Sequence, residues 1–119
     1  MYGCGIFIDL KKAFDTVNHP ILIRKLEHYG IRENSLQWFT SYLSNRKQYV
    51  YFNGHSSEVK SINCGVPQGS VLGPLLFLLY INDLPHVSSN LRFYLFADDT
   101  NLYYESNDLK KLKKLLTKK

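Results

Sequence analysis

A chain of 119 residues, 45% hydrophobic and 14% aromatic, has enough apolar surface for one packed domain, which argues against intrinsic disorder. The longest apolar run, Val71 to Ile81, is interrupted by Gly73 and Pro74 and falls short of the ~20 residues of a membrane-spanning helix, so no membrane partner is expected. The formal charge of +5 is compatible with an anionic partner, but much of it gathers at the end of the chain, which makes it a weak indicator.

Two cysteines, Cys4 and Cys64, complete neither a four-ligand zinc site nor a disulfide framework. With no signal-peptide pattern after Met1, free thiols in an intracellular chain are the expectation. In chain order, Gly5-Ile6-Phe7-Ile8-Asp9-Leu10 reads as a short, continuously apolar strand ending in a carboxylate. Such continuity predicts a central strand covered on both faces. An unpaired buried carboxylate is expensive, so Asp9 is either neutralised by Lys11 and Lys12 or engaged as a ligand. Ala13-Phe14-Asp15 follows.

Pro20 opens a helix, with Leu22, Ile23, Leu26 and Tyr29 at helical spacing and Gly30 placed to end it. A second helix is predicted to start at an Asn34 or Ser35 cap and to carry Leu36, Phe39, Tyr42 and Leu43 on one face, with Trp38 at its edge. Gln48 to Phe52, the turn signal Asn53-Gly54 and Glu58 to Cys64 predict a hairpin with one wet face. Arg46, Lys47 and Lys60 can meet phosphates there, or simply solvate that face. Gly65-Val66-Pro67-Gln68-Gly69-Ser70 brackets a polar Gln between glycines that let backbone approach a ligand closely. A helix over about Leu72 to Leu84, apolar nearly all round, is expected under a sheet and ended by Pro85. Leu91 to Phe96, a turn at Asp98-Asp99, and Leu102 to Tyr104 predict a second hairpin. Ser106-Asn107-Asp108 caps a final amphipathic helix, with Leu109, Leu112, Leu115 and Leu116 on one side. Lys110, Lys111, Lys113, Lys114, Lys118 and Lys119 form its solvated face.

The chemistry-bearing residues are carboxylates. Asp-Asp in a turn is ordinary turn chemistry, or half of a divalent-metal site that needs a third carboxylate. If the strand ending at Asp9 lies beside the second hairpin, Asp9, Asp98 and Asp99 converge at one end of a sheet. Two such charges ~4 Å apart repel by about 4 kcal/mol at an effective dielectric of 20, which a cation would offset. Oxygen-only ligands favour Mg²⁺ or Mn²⁺, and a metal pair on carboxylates is the apparatus of phosphoryl and nucleotidyl transfer.

Ile6-Phe7-Ile8-Asp9-Leu10-Lys11-Lys12-Ala13-Phe14-Asp15, then Gly65-Val66-Pro67-Gln68-Gly69-Ser70-Val71-Leu72-Gly73-Pro74, then Phe96-Ala97-Asp98-Asp99 resemble the successive palm motifs of reverse transcriptases. The helix from His19-Pro20 to Gly30, the Trp38 helix and Ser44-Asn45-Arg46 are similar to the non-LTR retrotransposon branch, jockey-like elements in particular. The resemblance spans essentially the whole chain and implies an α+β palm: a small antiparallel sheet with helices on one face and the other face open. It implies an RNA-directed DNA polymerase using two Mg²⁺ or Mn²⁺ ions, an RNA template, a DNA primer and deoxynucleoside triphosphates. Asp9 and Asp98 would be principal metal ligands, with Asp99 assisting and the Leu10 carbonyl completing one shell. Phe14 would be the steric gate beneath the incoming sugar, with a plain core aromatic as the lesser alternative. Gln68 and Gly69 would meet the incoming nucleotide, and Arg46, Lys47 and Pro67 the nucleic acid. Asp15 would anchor the turn before Pro20.

Against a complete family member, fingers, thumb and endonuclease regions are absent from residues 1–119. The expectation is therefore a partial palm, with intact metal carboxylates but no processive synthesis. A non-catalytic retrotransposon remnant that at most binds nucleic acid is the alternative. The family's habit of replicating at chromosomal DNA suggests the nucleus.

Overall fold

The computed structural model describes residues 1–117. The elements run β1 (Tyr2–Asp9), a 3₁₀ turn (Ala13–Asp15), α1 (His19–His28), α2 (Glu33–Leu43), β2 (Arg46–Gln48), β3 (Tyr51–Phe52), β4 (His55–Ser56), β5 (Lys60–Ile62) and α3 (Leu72–Ile81). A second 3₁₀ turn (Leu84–Val87), β6 (Arg92–Phe96), β7 (Asp99–Ser106) and α4 (Leu109–Thr117) complete them. The class is α+β, and its sheets are antiparallel throughout. The chain divides into two compact units, Met1–Lys11 with the chain from Asn82 onward, and Lys12–Ile81.

The first unit is a three-stranded sheet of order β1-β7-β6. Its register runs from Tyr2 opposite Ser106 to Asp9 opposite Asp99, and from Arg92 opposite Tyr103 to Phe96 opposite Asp99. Because side chains alternate across a strand, one face carries Cys4, Ile6, Ile8, Phe93, Leu95, Thr100, Leu102 and Tyr104. α4 packs against β7 and β1. Its Leu112 is buried, and the space among Cys4, Ile6, Leu102, Tyr104 and Leu112 closes to about 10 Å³. Asp108 caps the helix, its Oδ1 accepting from the Lys110 N–H at 2.8 Å. Lys118 and Lys119 of the expected basic face lie outside the described residues.

The opposite face carries Phe7, Asp9, Tyr94, Phe96, Asp99, Asn101 and Tyr103. It is open: Phe7 is 72% and Phe96 82% exposed. This corrects the expectation for β1, which is an edge strand rather than a central one. The central strand is β7, whose alternating Thr100-Asn101-Leu102-Tyr103 pattern reads as less apolar than β1. Continuous apolarity in β1 instead supplies both the packed face and the aromatic one. Tyr103 stands edge-on to Phe7 (6.1 Å) and to Tyr94 (5.3 Å). Its ring lies over Gly5, where a Cβ would come within 3.1 Å of it.

In the second unit α1 packs against α2 and α3, burying Leu22, Leu26, Leu43, Leu76 and Phe77. Asn18 caps α1, its Oδ1 accepting from the Ile21 N–H at 3.0 Å. Gly30 at φ 100 ends it, with Gly30 N–H donating to the Glu27 carbonyl and Ile31 N–H to that of Leu26. That pair of bonds is the Schellman closure. α2 begins at Glu33, one or two residues before the expected caps, and no side chain caps it. Trp38 stacks on Tyr42 at 5.4 Å. α3 stops at Ile81, short of the expected Leu84, because Asn82-Asp83 form a turn and Leu84 opens the second 3₁₀ turn, with Pro85 near its start. Within this unit its helical neighbour is α1.

The 46–62 hairpin turns at Asn53-Gly54, both at positive φ as a type I′ turn requires. Gln48 pairs with Lys60 but Tyr51 with Ser56, so the returning strand carries one extra residue, a bulge. The bulge breaks the alternation, and Tyr49, Val50, Tyr51, Phe52 and Val59 are all exposed. The expected single wet face is therefore wet on both sides.

Candidate active site

The β6–β7 hairpin closes through a two-residue turn, Ala97-Asp98, between the paired Phe96 and Asp99. Asp99 is thus the first residue of the strand rather than part of the turn. Ala97 takes φ 50, the left-handed region in which a side chain costs about 1–2 kcal/mol. A two-residue turn between twisted strands imposes that conformation, whatever residue occupies it.

β1 ends directly across from this turn, so Asp9 and Asp99 are cross-strand partners on the open face. Directly opposite residues have Cβ atoms about 4.5–5.5 Å apart, and like charges so placed destabilise the pair. Asp98 stands beside them in the turn, half-buried, and Leu10 is the first residue beyond β1. Among the described residues, no three His, Cys, Asp or Glu side chains are gathered closely enough to hold a metal ion. The structure therefore assembles a carboxylate pair with the third carboxylate adjacent in sequence, rather than a closed triad. As a donor set, the pair fits a hard divalent cation: two oxygen-bearing side chains at an open sheet end, without His or Cys.

The remaining candidates lie in the second unit. Phe14, on the first 3₁₀ turn, stacks on Phe77 with ring centroids 4.6 Å apart and is half-buried. That contact is what a core aromatic makes. Arg46, Lys47, Pro67 and Gln68 line one cavity, together with Lys12 and Thr16. Arg46 is already engaged there, its guanidinium 4.9 Å from the Tyr42 ring centre and donating to the Tyr42 carbonyl at 3.2 Å. Lys47 is exposed. Gln68 Nε2 donates to Asp15 Oδ1 at 3.5 Å, a long bond between two exposed side chains. Asp15 therefore reaches the Gln68 loop as well as preceding α1. Gly69 takes φ 75 at the loop tip.

Sequence reasoning missed two features. The aromatic ladder Phe7–Tyr103–Tyr94 needs strand register to become visible. The backbone lacing of residues 64–66 to residues 14–19 is non-local. Gly65 was the available signal for it: a Cβ there would come within 2.8 Å of the Asp15 backbone.

Known proteins give the site a context. The reverse transcriptase (RNA-dependent DNA polymerase) family model matches residues 1–118. The chain is 35% identical over 115 residues to the RNA-directed DNA polymerase from mobile element jockey of Drosophila melanogaster, an alignment covering 91% of this chain and 12% of that protein. It is 37% identical over 119 residues to the probable RNA-directed DNA polymerase from transposon BS of the same organism, covering 89% of this chain and 12% of that protein. Against the corresponding protein from transposon X-element, also of Drosophila melanogaster, identity is 36% over 115 residues, covering 88% and 12%. The chain thus spans about one-eighth of the length of these relatives. With all but its last residue matched, the chain belongs to the reverse transcriptase family.

Proposed function

We propose that this chain is the catalytic palm of an RNA-directed DNA polymerase, adding deoxynucleotides to a primer 3′-hydroxyl along an RNA template. The observation that carries the reading is the Asp9–Asp99 pair beside the Ala97-Asp98 turn, on the open aromatic face of the sheet. Asp9 and Asp98 act as principal ligands for two Mg²⁺ or Mn²⁺ ions, with Asp99 assisting and the Leu10 carbonyl completing one shell. When bound, such an ion pair activates the attacking hydroxyl and stabilises the leaving pyrophosphate.

The protein's own groups bind and orient. Exposed Phe7, Tyr94, Phe96 and Tyr103 offer π-faces to bases, a contact worth about 1–3 kcal/mol per base. Lys47 meets backbone phosphate, while Arg46 and Pro67 shape the cavity wall beside Gln68. Gln68 and Gly69 meet the incoming nucleotide. Phe14, fixed by its stack on Phe77, is the candidate gate beneath the sugar. Fingers and thumb segments of a longer parent protein are the proposed partners of this palm.

One observation favours a second reading, a non-catalytic nucleic-acid-binding remnant: among the described residues no three metal-ligating side chains stand close enough to hold an ion. Single-nucleotide primer extension on an RNA template with Mg²⁺, run beside Asp98→Asn, separates the two. The polymerase reading requires incorporation that disappears in the variant. Primer–template binding by both proteins, with incorporation by neither, would overturn it in favour of the remnant.

A further inference from the structure

We propose that His19 is a positioning residue that holds the Gly65–Ser70 loop in the conformation it needs to meet a nucleotide; the functional half of this inference rests on the polymerase reading above. His19 is the first residue of α1, and its Nε2 lies 2.7 Å from the Gly65 carbonyl oxygen. A carbonyl only accepts, so Nε2 carries the hydrogen. On the same short stretch the Gly65 N–H donates to the Val17 carbonyl and the Val66 N–H to the Phe14 carbonyl, each at 2.7 Å. Cys64 Sγ donates to the Asp15 carbonyl at 3.2 Å. At the far end Ser70 Oγ donates to the Pro67 carbonyl at 2.7 Å and accepts from the Gly73 N–H at 3.0 Å.

The loop is therefore fixed at both ends, with exposed Gln68 and Gly69 between them. Gly65 is buried, and His19 supplies the side-chain donor to its carbonyl. Removing that donor strands a buried acceptor at the loop's entry. α1 does not depend on the bond: Asn18 caps it, and Leu22 and Leu26 anchor it in the core. The consequence of losing His19 belongs to the loop, not to the helix.

The test compares the full chain with His19→Ala and His19→Gln, whose amide offers an N–H near the Nε2 position. Amide hydrogen exchange reads the lacing, and titration with a deoxynucleoside triphosphate and Mg²⁺ reads its use. In His19→Ala, protection at Gly65 and Val66 is expected to fall about tenfold, the scale of one buried hydrogen bond, while α1 and α3 keep theirs. Triphosphate affinity is expected to fall by a similar factor, and His19→Gln to restore both. Unchanged protection at Gly65 and Val66, or an equal loss across α1 and α3, would overturn the proposal. So would lost loop protection with unchanged triphosphate affinity. If the unaltered chain binds no triphosphate while the exchange signature appears as expected, the polymerase reading fails and His19's hold on the loop stands.

Discussion

Thr100 and Ala97 are neighbours of the carboxylates that each carry a local energetic penalty. Thr100 is 2% exposed, and its Oγ1 has no hydrogen-bond partner among the described residues. A buried hydroxyl left unpaired costs about 1–3 kcal/mol. Thr100→Val keeps the shape and β preference while removing that group, so it should raise stability by about 1 kcal/mol. Thermal melting would read this as a rise of about 4 °C. Ala97 holds a left-handed conformation because the two-residue turn demands it. Ala97→Gly should therefore stabilise by about 0.5–1 kcal/mol, after allowance for the freer unfolded chain. Chemical denaturation would measure the gain, and a loss would mean that the alanine methyl packs usefully. Strain kept beside candidate ligands is the pattern expected of a functional turn.

The elements show which parts of the fold were legible and why. The β6–β7 hairpin could be read from residues close in sequence, because an apolar run, two Asp and another apolar run describe a local object. Asn53-Gly54 marked the other hairpin for the same reason. Its bulge was not legible, since one extra residue between Gln48–Lys60 and Tyr51–Ser56 leaves the turn signal untouched. The edge position of β1 was also hidden: apolarity says that a strand has two apolar faces, not that both are covered. In the site, the Asp9–Asp99 pairing followed from placing two strands side by side. The His19–Gly65 bond joins residues 46 apart in sequence and leaves no periodic trace. α4 was read correctly as amphipathic, and its hold on the sheet centres on buried Leu112. Leu112→Ala should cost about 2–4 kcal/mol, measured as lost amide protection through α4 and a lower denaturation midpoint.

For the molecule as a whole, family membership and geometry bear on different questions. The family match covers residues 1–118 and makes the ancestry that of a reverse transcriptase. In the proposed reading, Asp9, Asp98 and Asp99 hold the ions of that chemistry. Two of these face each other across a strand pair, and the third sits in the adjoining turn. Opposed like charges persist in a fold most readily where a cation offsets them. Among the described residues no helix is long and apolar enough to cross a membrane. The most direct measurement is titration of the isotope-labelled chain with Mn²⁺, following paramagnetic broadening of its backbone amide signals. Asp9, Leu10 and Ala97 to Asp99 are expected to broaden first, Mg²⁺ to reverse the effect by competition, and Asp9→Asn to abolish it. Broadening spread equally over other acidic positions such as Glu27, Glu58 and Glu105, and indifferent to Asp9→Asn, would contradict it.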